Sequence, residues 1–250
     1  YLHNPPAAPA HMWLTCLRFV RTLHPPKQPS RQPKTAFQRF TKHGTIAWLP
    51  GWQPDTARVV WTVPQAFALT LEDWSDDQFK QHLNQTYLGR QPTIQSLQLI
   101  NRYPVMTNSL PSCCQQSVVF LGNAAHTFYP ITAQGFNLTL LNVAMLAEKL
   151  TDNCNLHGQI NHSSGLISYN HWSQSAQQQV AKSTQQIHQL FHAPLIGHLR
   201  SLGMLAVNLN PSLKKSILKP FLGHQSSQPK LACQIPLSTS TCIARQAETI

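Results

Sequence analysis

The sequence predicts an α/β fold in which an antiparallel sheet comes first and a strand, a loop and long helices follow. Residues 45–50 and 57–63 are β-branched and aromatic runs, and residues 51–55 between them supply turn-forming Gly, Pro and Asp, which predicts a hairpin. Residues 118–121 form a third such run, and apolar residues from 134 to about 150 recur at three- and four-residue steps, as in a helix. A chain of 250 residues can hold one large domain or two small ones.

The first segment, residues 1–35, is rich in proline and shows no sustained period. We therefore expect an irregular lead-in there. The apolar patch from Met12 to Val20 is the one place in this segment where a strand is indicated.

Residues 36–112 are expected to form a sheet and a helix, with residues 97–105 as the last strand. Ser75 is placed to cap a helix whose first turn holds Asp76 and Asp77, where the helix dipole favours negative charge. Two adjacent carboxylates could also serve as an acid/base pair, but capping is the better explanation at a helix start.

Residues 113–222 begin with a strand that feeds a loop and then a helix. The run 118–121 has the length of a fully covered strand, Gly122 and Asn123 end it, and the helix opens at Gln134. This arrangement is where α/β proteins bind ligands, because free N–H groups and the positive end of the helix dipole face the crevice. The expected buried face of the helix comprises Phe136, Leu140, Val143, Ala144, Ala147 and Leu150.

A polar loop is expected at residues 151–165, a second helix over about residues 168–191, and a further helical stretch ending near Leu209. The candidate buried residues of the second helix are Ala176, Val180, Ile187, Leu190 and Phe191. The last stretch forms a basic, amphipathic segment together with Lys214, Lys215 and Lys219, and two interpretations stay open: it rests on a membrane surface, or it packs against the neighbouring helix. Residues 223–250 are expected to be a polar tail.

The composition is basic, with 19 Lys and Arg against 8 Asp and Glu. Such a balance favours binding to nucleic acid or to anionic membranes. Because no nucleic-acid-binding motif is present, we predict no nucleic-acid partner. Six cysteines without metal-site spacing indicate reduced thiols in a cytoplasmic protein. His188 and His192 are four apart without an accompanying carboxylate, which predicts no metal site. We expect a cytoplasmic location, with peripheral contact to the inner face of the membrane as the open alternative.

The residues from Gly122 to Asn137 resemble a known flavin motif. They read Gly-Asn-Ala-Ala-His…Pro…Ala-Gln-Gly-Phe-Asn, where the FAD-dependent aromatic-ring hydroxylases of the para-hydroxybenzoate hydroxylase type usually have Gly-Asp-Ala-Ala-His…Pro…Gly-Gln-Gly-Leu-Asn. Within that family the chain looks closest to the ubiquinone-biosynthesis branch, in particular the 2-polyprenyl-6-methoxyphenol hydroxylases, in which Asn after the first Gly also occurs.

The resemblance implies a role for each residue of the motif. Gly122 would let the backbone approach the cofactor, Asn123 would hydrogen-bond the ribityl chain, and Pro130 would lie against the isoalloxazine ring. N–H groups at the helix start would face the flavin's pyrimidine oxygen. The implied cofactor-binding residues are Gly122, Asn123, Pro130, Ala133, Gln134, Gly135, Phe136 and Asn137.

The resemblance also implies an architecture and partners. Residues 36–112 would be the antiparallel sheet and helix of a substrate domain, and residues 113–222 the C-terminal strand and helices of an FAD-binding, Rossmann-like domain. The implied cofactor is FAD, with NAD(P)H as the electron donor, a polyprenylated phenol as the substrate and a ubiquinone-biosynthesis complex as a partner. No catalytic side chain is expected, because the cofactor carries the chemistry.

The sequence departs from the family pattern in several places. Ala133 replaces a glycine, so we expect a negative φ there, Tyr129 stands where histidine is frequent, and Leu141-Asn142 stands where Arg-Asp is typical. The Gly-x-Gly-x-x-Gly loop that holds the pyrophosphate is absent, as is the family's second, Asp-Gly signature.

The resemblance therefore covers about residues 36–222, the C-terminal part of a hydroxylase, and we expect the chain to be a piece of a longer protein. Two hypotheses remain. The chain is part of a flavin monooxygenase of ubiquinone biosynthesis, or it is a catalytically inactive remnant or partner-binding fragment of one.

Overall fold

A computed structural model describes residues 12–23, 35–52, 56–87, 93–158, 163–192, 197–219 and 228–237. The chain folds as two compact units, Tyr1–Met106 and Thr107–Ile250. The expected lead-in and tail residues outside these ranges lie outside the described residues.

As far as the structure describes it, the first unit is a five-stranded antiparallel sheet with two helices. Its strands are β1 (Met12–Leu23), β2 (Phe37–Thr41), β3 (Gly44–Pro50), β4 (Thr56–Pro64) and β5 (Thr93–Val105), in the order β2-β3-β4-β1-β5. The predicted hairpin is β3 paired with β4, in the register Ile46 to Trp61. The tight β2–β3 turn needs a glycine, because Gly44 has φ +116° and a Cβ there would overlap Thr62 O.

One prediction for this unit is wrong in part. Met12–Leu23 lies in the expected irregular lead-in, yet it is a central strand that pairs with β4 on one side and β5 on the other. The apolar patch at Met12 indicated the strand, but proline on either side concealed its length. Pairing with two strands that are distant in the chain stabilises this strand, and the local sequence does not show that pairing.

Two helices, α1 (Gln65–Glu72) and α2 (Asp76–Tyr87), pack on the sheet. The predicted cap of α2 is confirmed as a capping box, since Ser75 N donates to Gln78 Oε1 at 2.8 Å and Gln78 N donates to Ser75 Oγ at 3.3 Å. Helix α1 was not predicted. It is only eight residues long and follows β4 directly. The helical spacing of Ala68 and Leu71 is therefore hard to distinguish from the apolar pattern of the preceding strand.

The core of this unit is aromatic, and two partly buried histidines stack on its aromatic side chains. Trp61 is fully buried among strand and helix side chains. The His82 ring stacks on Trp61 at 5.1 Å between centroids, and the His43 ring stacks on Phe67 at 4.0 Å. Burial lowers the pKa of both histidines, and the nearby positive charge of Lys42 lowers them further.

In its described residues the second unit contains four helices, α3 (Gly135–His157), α4 (Ser163–His192), α5 (Gly197–Leu209) and α6 (Pro211–Leu218). It also has two short antiparallel pairs, β6 (Asn108–Ser109) with β9 (His126–Thr127) and β7 (Cys114–Gln115) with β8 (Val118–Val119). Helices α3 and α4 pack side by side around Leu138, Met145, Tyr169 and Ala176. Among the described residues no helix is both long and apolar enough to cross a bilayer.

The predicted second helix is confirmed and longer than expected, with Ala176 and Val180 buried. Ile187 and Phe191 are partly buried, and Leu190 is exposed. The predicted polar loop at 151–165 is wrong, because α3 continues to His157 and α4 begins at Ser163. Gly158 ends α3 with a left-handed φ of 69°.

The run 118–121 was predicted to be a fully covered strand, and this is wrong. Only Val118 and Val119 form a paired strand, they pair with Cys114–Gln115 alone, and Val118 is 55% exposed. Among the described residues no second strand pairs with this one, so its other edge and one of its faces stay uncovered.

The predicted buried face of α3 is also wrong. Phe136 is 72% exposed and Leu140 and Val143 are exposed, whereas Ala144, Ala147 and Leu150 are partly buried. The buried face holds Leu138 and Met145, which pack in one cluster with side chains of α4, and Asn142. Polar residues on that face are buried with partners, which hydropathy alone does not reveal.

Part of the expected polar tail is bound to α3. Residues Lys230–Cys233 form a short 3₁₀ turn, and Lys230 N donates to the buried Glu148 Oε2 at 2.6 Å. Lys230 Nζ also donates to Asp152 Oδ1 at 3.3 Å. This charge-assisted pair holds the segment against the helix.

We predict that the first unit becomes less stable as the pH is lowered, because of His43 and His82. Their folded-state pKa values lie below the ordinary 6.5, so the folded state binds fewer protons than the unfolded state. The stability they contribute is present above pH 6.5 and is lost as the pH falls through the folded-state pKa values. Urea unfolding at about pH 7.5 and about pH 5.5 measures the loss.

The substitution His82→Phe keeps the stack on Trp61 and removes one titrating group. It is expected to reduce the difference in unfolding free energy between the two pH values. An undiminished difference would show that other groups cause it.

Candidate functional site

A pocket of about 320 Å³ lies at the start of helix α3. The loop from β9 to the helix forms most of its wall, and one residue of α4, Val180, closes it on another side. The pocket falls at the low end of the range for small-molecule sites, about 300–1,000 Å³. Its lining residues are Asn123, His126, Thr127, Phe128, Tyr129, Pro130, Thr132, Ala133, Gln134, Gly135, Phe136 and Val180.

Six of the eight residues that the motif implied line this single pocket: Asn123, Pro130, Ala133, Gln134, Gly135 and Phe136. Gly122 and Asn137 do not line it. Their individual roles toward a cofactor stay predictions. Sequence reasoning missed Val180 as a wall residue because it is distant in the chain, although its helical spacing did mark it as buried.

The backbone turns sharply where β8 ends. Gly122 has φ +59° and opens a 3₁₀ turn, Gly122–Ala124, in which Ala125 N donates to Gly122 O at 2.9 Å. A glycine takes this left-handed conformation without the Cβ penalty. The turn puts Asn123 at the pocket wall.

The helix start supplies donors to the same pocket. Gln134 is the N-cap residue of α3 and makes no side-chain capping bond, and the first turn contains no acidic residue. The first N–H groups of a helix have no partner within it, and the helix dipole places partial positive charge there. Gly135 and Phe136 therefore bring hydrogen-bond donors and positive potential to the pocket wall.

Open space lies beside Gly135. A Cβ at that position would meet no atom within 4 Å, and its φ is not in the left-handed region. The fold therefore does not require glycine there, and the absence of a side chain leaves the helix start accessible to a ligand.

The backbone at Ala133 corrects an expectation. We expected a negative φ, but φ is +51°. The left-handed conformation costs a residue with a Cβ about 1–2 kcal/mol. This loop therefore carries strain at a pocket-lining residue where the usual motif has glycine.

His126 fastens the loop to the helix. Its side chain is 2% exposed, Asn142 Nδ2 lies 3.2 Å from its Nε2, and its ring stacks on Phe128 at 5.0 Å. Burial lowers the pKa of His126, so the imidazole is neutral at pH 7. If Nε2 accepts from the Asn142 amide, the ring proton is on Nδ1, which makes no hydrogen bond.

This geometry supports a structural role for His126 in the loop. A neutral amide occupies the helix position where the related motif has a carboxylate, and the pair needs no charge on the ring. Among the described residues, no group of three His, Cys, Asp or Glu side chains could hold a metal ion.

The groups that line the pocket fit the ring system of a flavin. It combines the Asn123 amide, backbone donors at a helix start and the flat side chains of Phe128, Tyr129 and Pro130. The Tyr129 ring stacks on His188 at 5.7 Å, which orients it. These groups suit a planar, polar-edged ring system.

Comparison with known families decides the classification. The family model described as FAD binding domain matches residues 16–184, about two thirds of the chain. The chain belongs to this family of FAD-binding domains. The resemblance found in the motif between Gly122 and Asn137 is thereby confirmed at the level of the family.

Three curated relatives of this FAD-binding domain are distant. An uncharacterized Synechocystis protein is 27% identical over 88% of the chain, and 3-demethoxyubiquinol 3-hydroxylase from Escherichia coli is 25% identical over 76%. The ubiquinone biosynthesis monooxygenase COQ6 from Caenorhabditis elegans is 24% identical over 77%. The matched regions cover 52%, 48% and 51% of these relatives, so the chain spans about half their length.

Solved structures share the fold. The Diels-Alderase PyrE3 aligns over 90% of this chain and 47% of its own, with a TM-score of 0.62 and 15% identity. PqsL from Pseudomonas aeruginosa, a probable FAD-dependent monooxygenase, aligns over 81% and 54%, with a TM-score of 0.53 and 20% identity. The predicted α/β class, with an antiparallel sheet followed by a short strand and helices, is confirmed.

We predict that Ala133→Gly stabilises the FAD-binding domain by about 0.5–1 kcal/mol, the relief of left-handed strain less the added freedom of glycine in the unfolded chain. Urea unfolding measures the change. The matched control Ala144→Gly lies inside α3 and should destabilise by about 1 kcal/mol. A loss of stability in Ala133→Gly would contradict the strain.

We predict that Asn142→Asp raises the pKa of His126 relative to the native chain. A carboxylate at 3.2 Å would stabilise the protonated ring, against the burial that now lowers its pKa. NMR titration of the histidine ring protons measures the shift. Gln178→Glu adds a carboxylate on the exposed side of α4 and should leave it unchanged. Equal titration in both variants would place His126 away from residue 142.

Proposed function

We propose that this chain is the C-terminal part of an FAD-dependent monooxygenase that hydroxylates a polyprenylated phenol in ubiquinone biosynthesis. The observation that carries the proposal is the convergence of Asn123, Pro130 and Gly135 on one pocket at the start of α3. Two of the relatives bear names of ubiquinone-biosynthesis hydroxylases. These support the substrate class, and a multienzyme complex of that route is the proposed partner.

The chain's own residues would hold the isoalloxazine end of FAD. The N–H groups of the first turn of α3 would donate to the polar edge of the ring, and the Asn123 amide can both donate and accept. Pro130 has no N–H to satisfy and offers a rigid apolar surface. The positive end of the helix favours negative charge at this edge of the pocket.

When bound, FAD supplies the redox chemistry that activates O2, with electrons proposed to come from NAD(P)H. The protein would supply binding, orientation and exclusion of water. No side chain in the pocket needs to act as a nucleophile or acid. The neutral His126, whose pKa is lowered, agrees with this division, since it is committed to Asn142.

The exposed apolar stripe of α3 supports the idea that the chain works within a longer protein. Phe136, Leu140 and Val143 are exposed on one face. Contiguous exposed apolar side chains mark surfaces on which other elements dock. A domain carrying a pyrophosphate-binding loop is the proposed occupant, because the motif for that function is absent from this sequence.

A competition experiment tests the proposal on the chain itself. FAD and FMN share the isoalloxazine ring, and ADP shares only the other end of FAD. We expect the purified chain to quench the flavin fluorescence of both FMN and FAD. We expect that ADP does not compete with either flavin for binding. Competition by ADP, or no flavin binding by the folded chain, would favour the alternative of a remnant or partner-binding fragment.

The substitution Gly135→Leu gives a steric check. The added side chain meets no protein atom near its Cβ but occupies space beside the pocket, so the fold should persist and flavin affinity should fall at least about tenfold. Gly203→Leu, also at an unobstructed helical glycine, is the matched control and should bind as the native chain does. Equal affinity in the two variants would remove the helix start from the flavin site.

A further inference from the structure

Helices α5 and α6 expose apolar side chains that a folded protein normally covers. On α5, Leu202, Leu205 and Leu209 are exposed, the last by 72%. On α6, Leu213 and Ile217 are exposed, and they share one helix face because they are four residues apart. We call these exposed residues, together with the exposed lysines of α6, the α5–α6 surface.

Core packing does not account for this surface. In the described residues the principal packing partner of α5 is α6, and the apolar stripe at Leu202, Leu205 and Leu209 stays exposed. The earlier alternative, in which this stripe packs against the neighbouring helix, is therefore not what the described residues show. Asn210 instead caps α6 by accepting from Ser212 N and Leu213 N, so α6 is a defined helix that begins with Pro211.

The charge on the α5–α6 surface has one sign. Lys214, Lys215 and Lys219 are exposed on α6. No Asp or Glu occurs anywhere in residues 153–247, whereas seven Lys and Arg do. Any partner for this surface is therefore expected to be apolar at its centre and negatively charged around it.

We propose that the α5–α6 surface binds the interface of an anionic lipid membrane. The leucine side chains would enter the boundary between headgroups and acyl chains, and the lysine side chains would reach back to the phosphates. Juxtamembrane lysines gain free energy from anionic leaflets, and apolar area adds to it. A nucleic acid would satisfy the lysines but leave the leucines without a partner.

This proposal is independent of the flavin site. It uses no residue of the pocket at the start of α3, so failure of either leaves the other standing. If both hold, the protein would meet a polyprenylated substrate at the surface of the bilayer that contains it.

Vesicle flotation of the full chain tests the proposal. We expect binding to vesicles of equal phosphatidylcholine and phosphatidylglycerol, and much weaker binding to phosphatidylcholine alone. The triple variant K214Q/K215Q/K219Q should lose about fivefold in partitioning per lysine, or about a hundredfold in total. The variant L205S/L209S should lose about tenfold or more.

Two control variants match these changes elsewhere on the second unit. Lys182→Gln removes an exposed lysine from α4, and Leu156→Ser removes an exposed leucine from α3. Both should float as the native chain does. Since all the substituted side chains are exposed, far-ultraviolet circular dichroism should show an unchanged fold.

Three results would overturn the proposal. In the first, the native chain floats with neither kind of vesicle. In the second, the native chain floats equally well with neutral and anionic vesicles, and the lysine variant floats as well as the native chain. In the third, the control variants lose as much binding as the α5–α6 variants. If the native chain does not float, but forms a dimer in lipid-free size-exclusion chromatography that the α5–α6 variants lose, the surface binds a second copy of the chain instead.

Discussion

The candidate site depends on one buried hydrogen bond, between Asn142 of α3 and His126 of the preceding loop. The loop could leave β8 in many directions, since its outer side is open. The bond is shielded from water and anchors the loop to the second turn of the helix, while Phe128 packs on the His126 ring. Packing of α3 against α4 then fixes the helix itself, so the backbone donors at its start keep one position relative to Asn123 and Pro130.

Sequence predicts those elements whose signal lies within a short stretch of the chain. The β3–β4 hairpin, the capping box at Ser75 and the existence of α3 and α4 follow from period, turn chemistry and capping residues. The central place of β1 could not be read in the same way. A strand surrounded by proline acquires its stability from two neighbours far away in the chain, which no local pattern encodes.

The buried face of α3 shows a second limit. Hydropathy selected the stripe through Phe136, Leu140 and Val143, but the buried face holds Asn142 and Glu148. Those polar side chains are buried because each has a specific partner, His126 in one case and the backbone N–H of Lys230 in the other. Partners of this kind are invisible in a sequence, so the polar face was mistaken for the exposed one.

The clustering of the motif residues around one pocket could be expected from the sequence, because the motif is contiguous and its residues meet through one turn and one helix start. The positive φ at Ala133 was the exception, since it depends on how the loop closes.

NMR mapping of the ¹⁵N-labelled chain with FMN tests the central claim most directly. We predict amide shift changes concentrated between Asn123 and Asn137, largest at the first turn of α3. Changes concentrated in the β-sheet unit, or none at saturating FMN, would contradict the account.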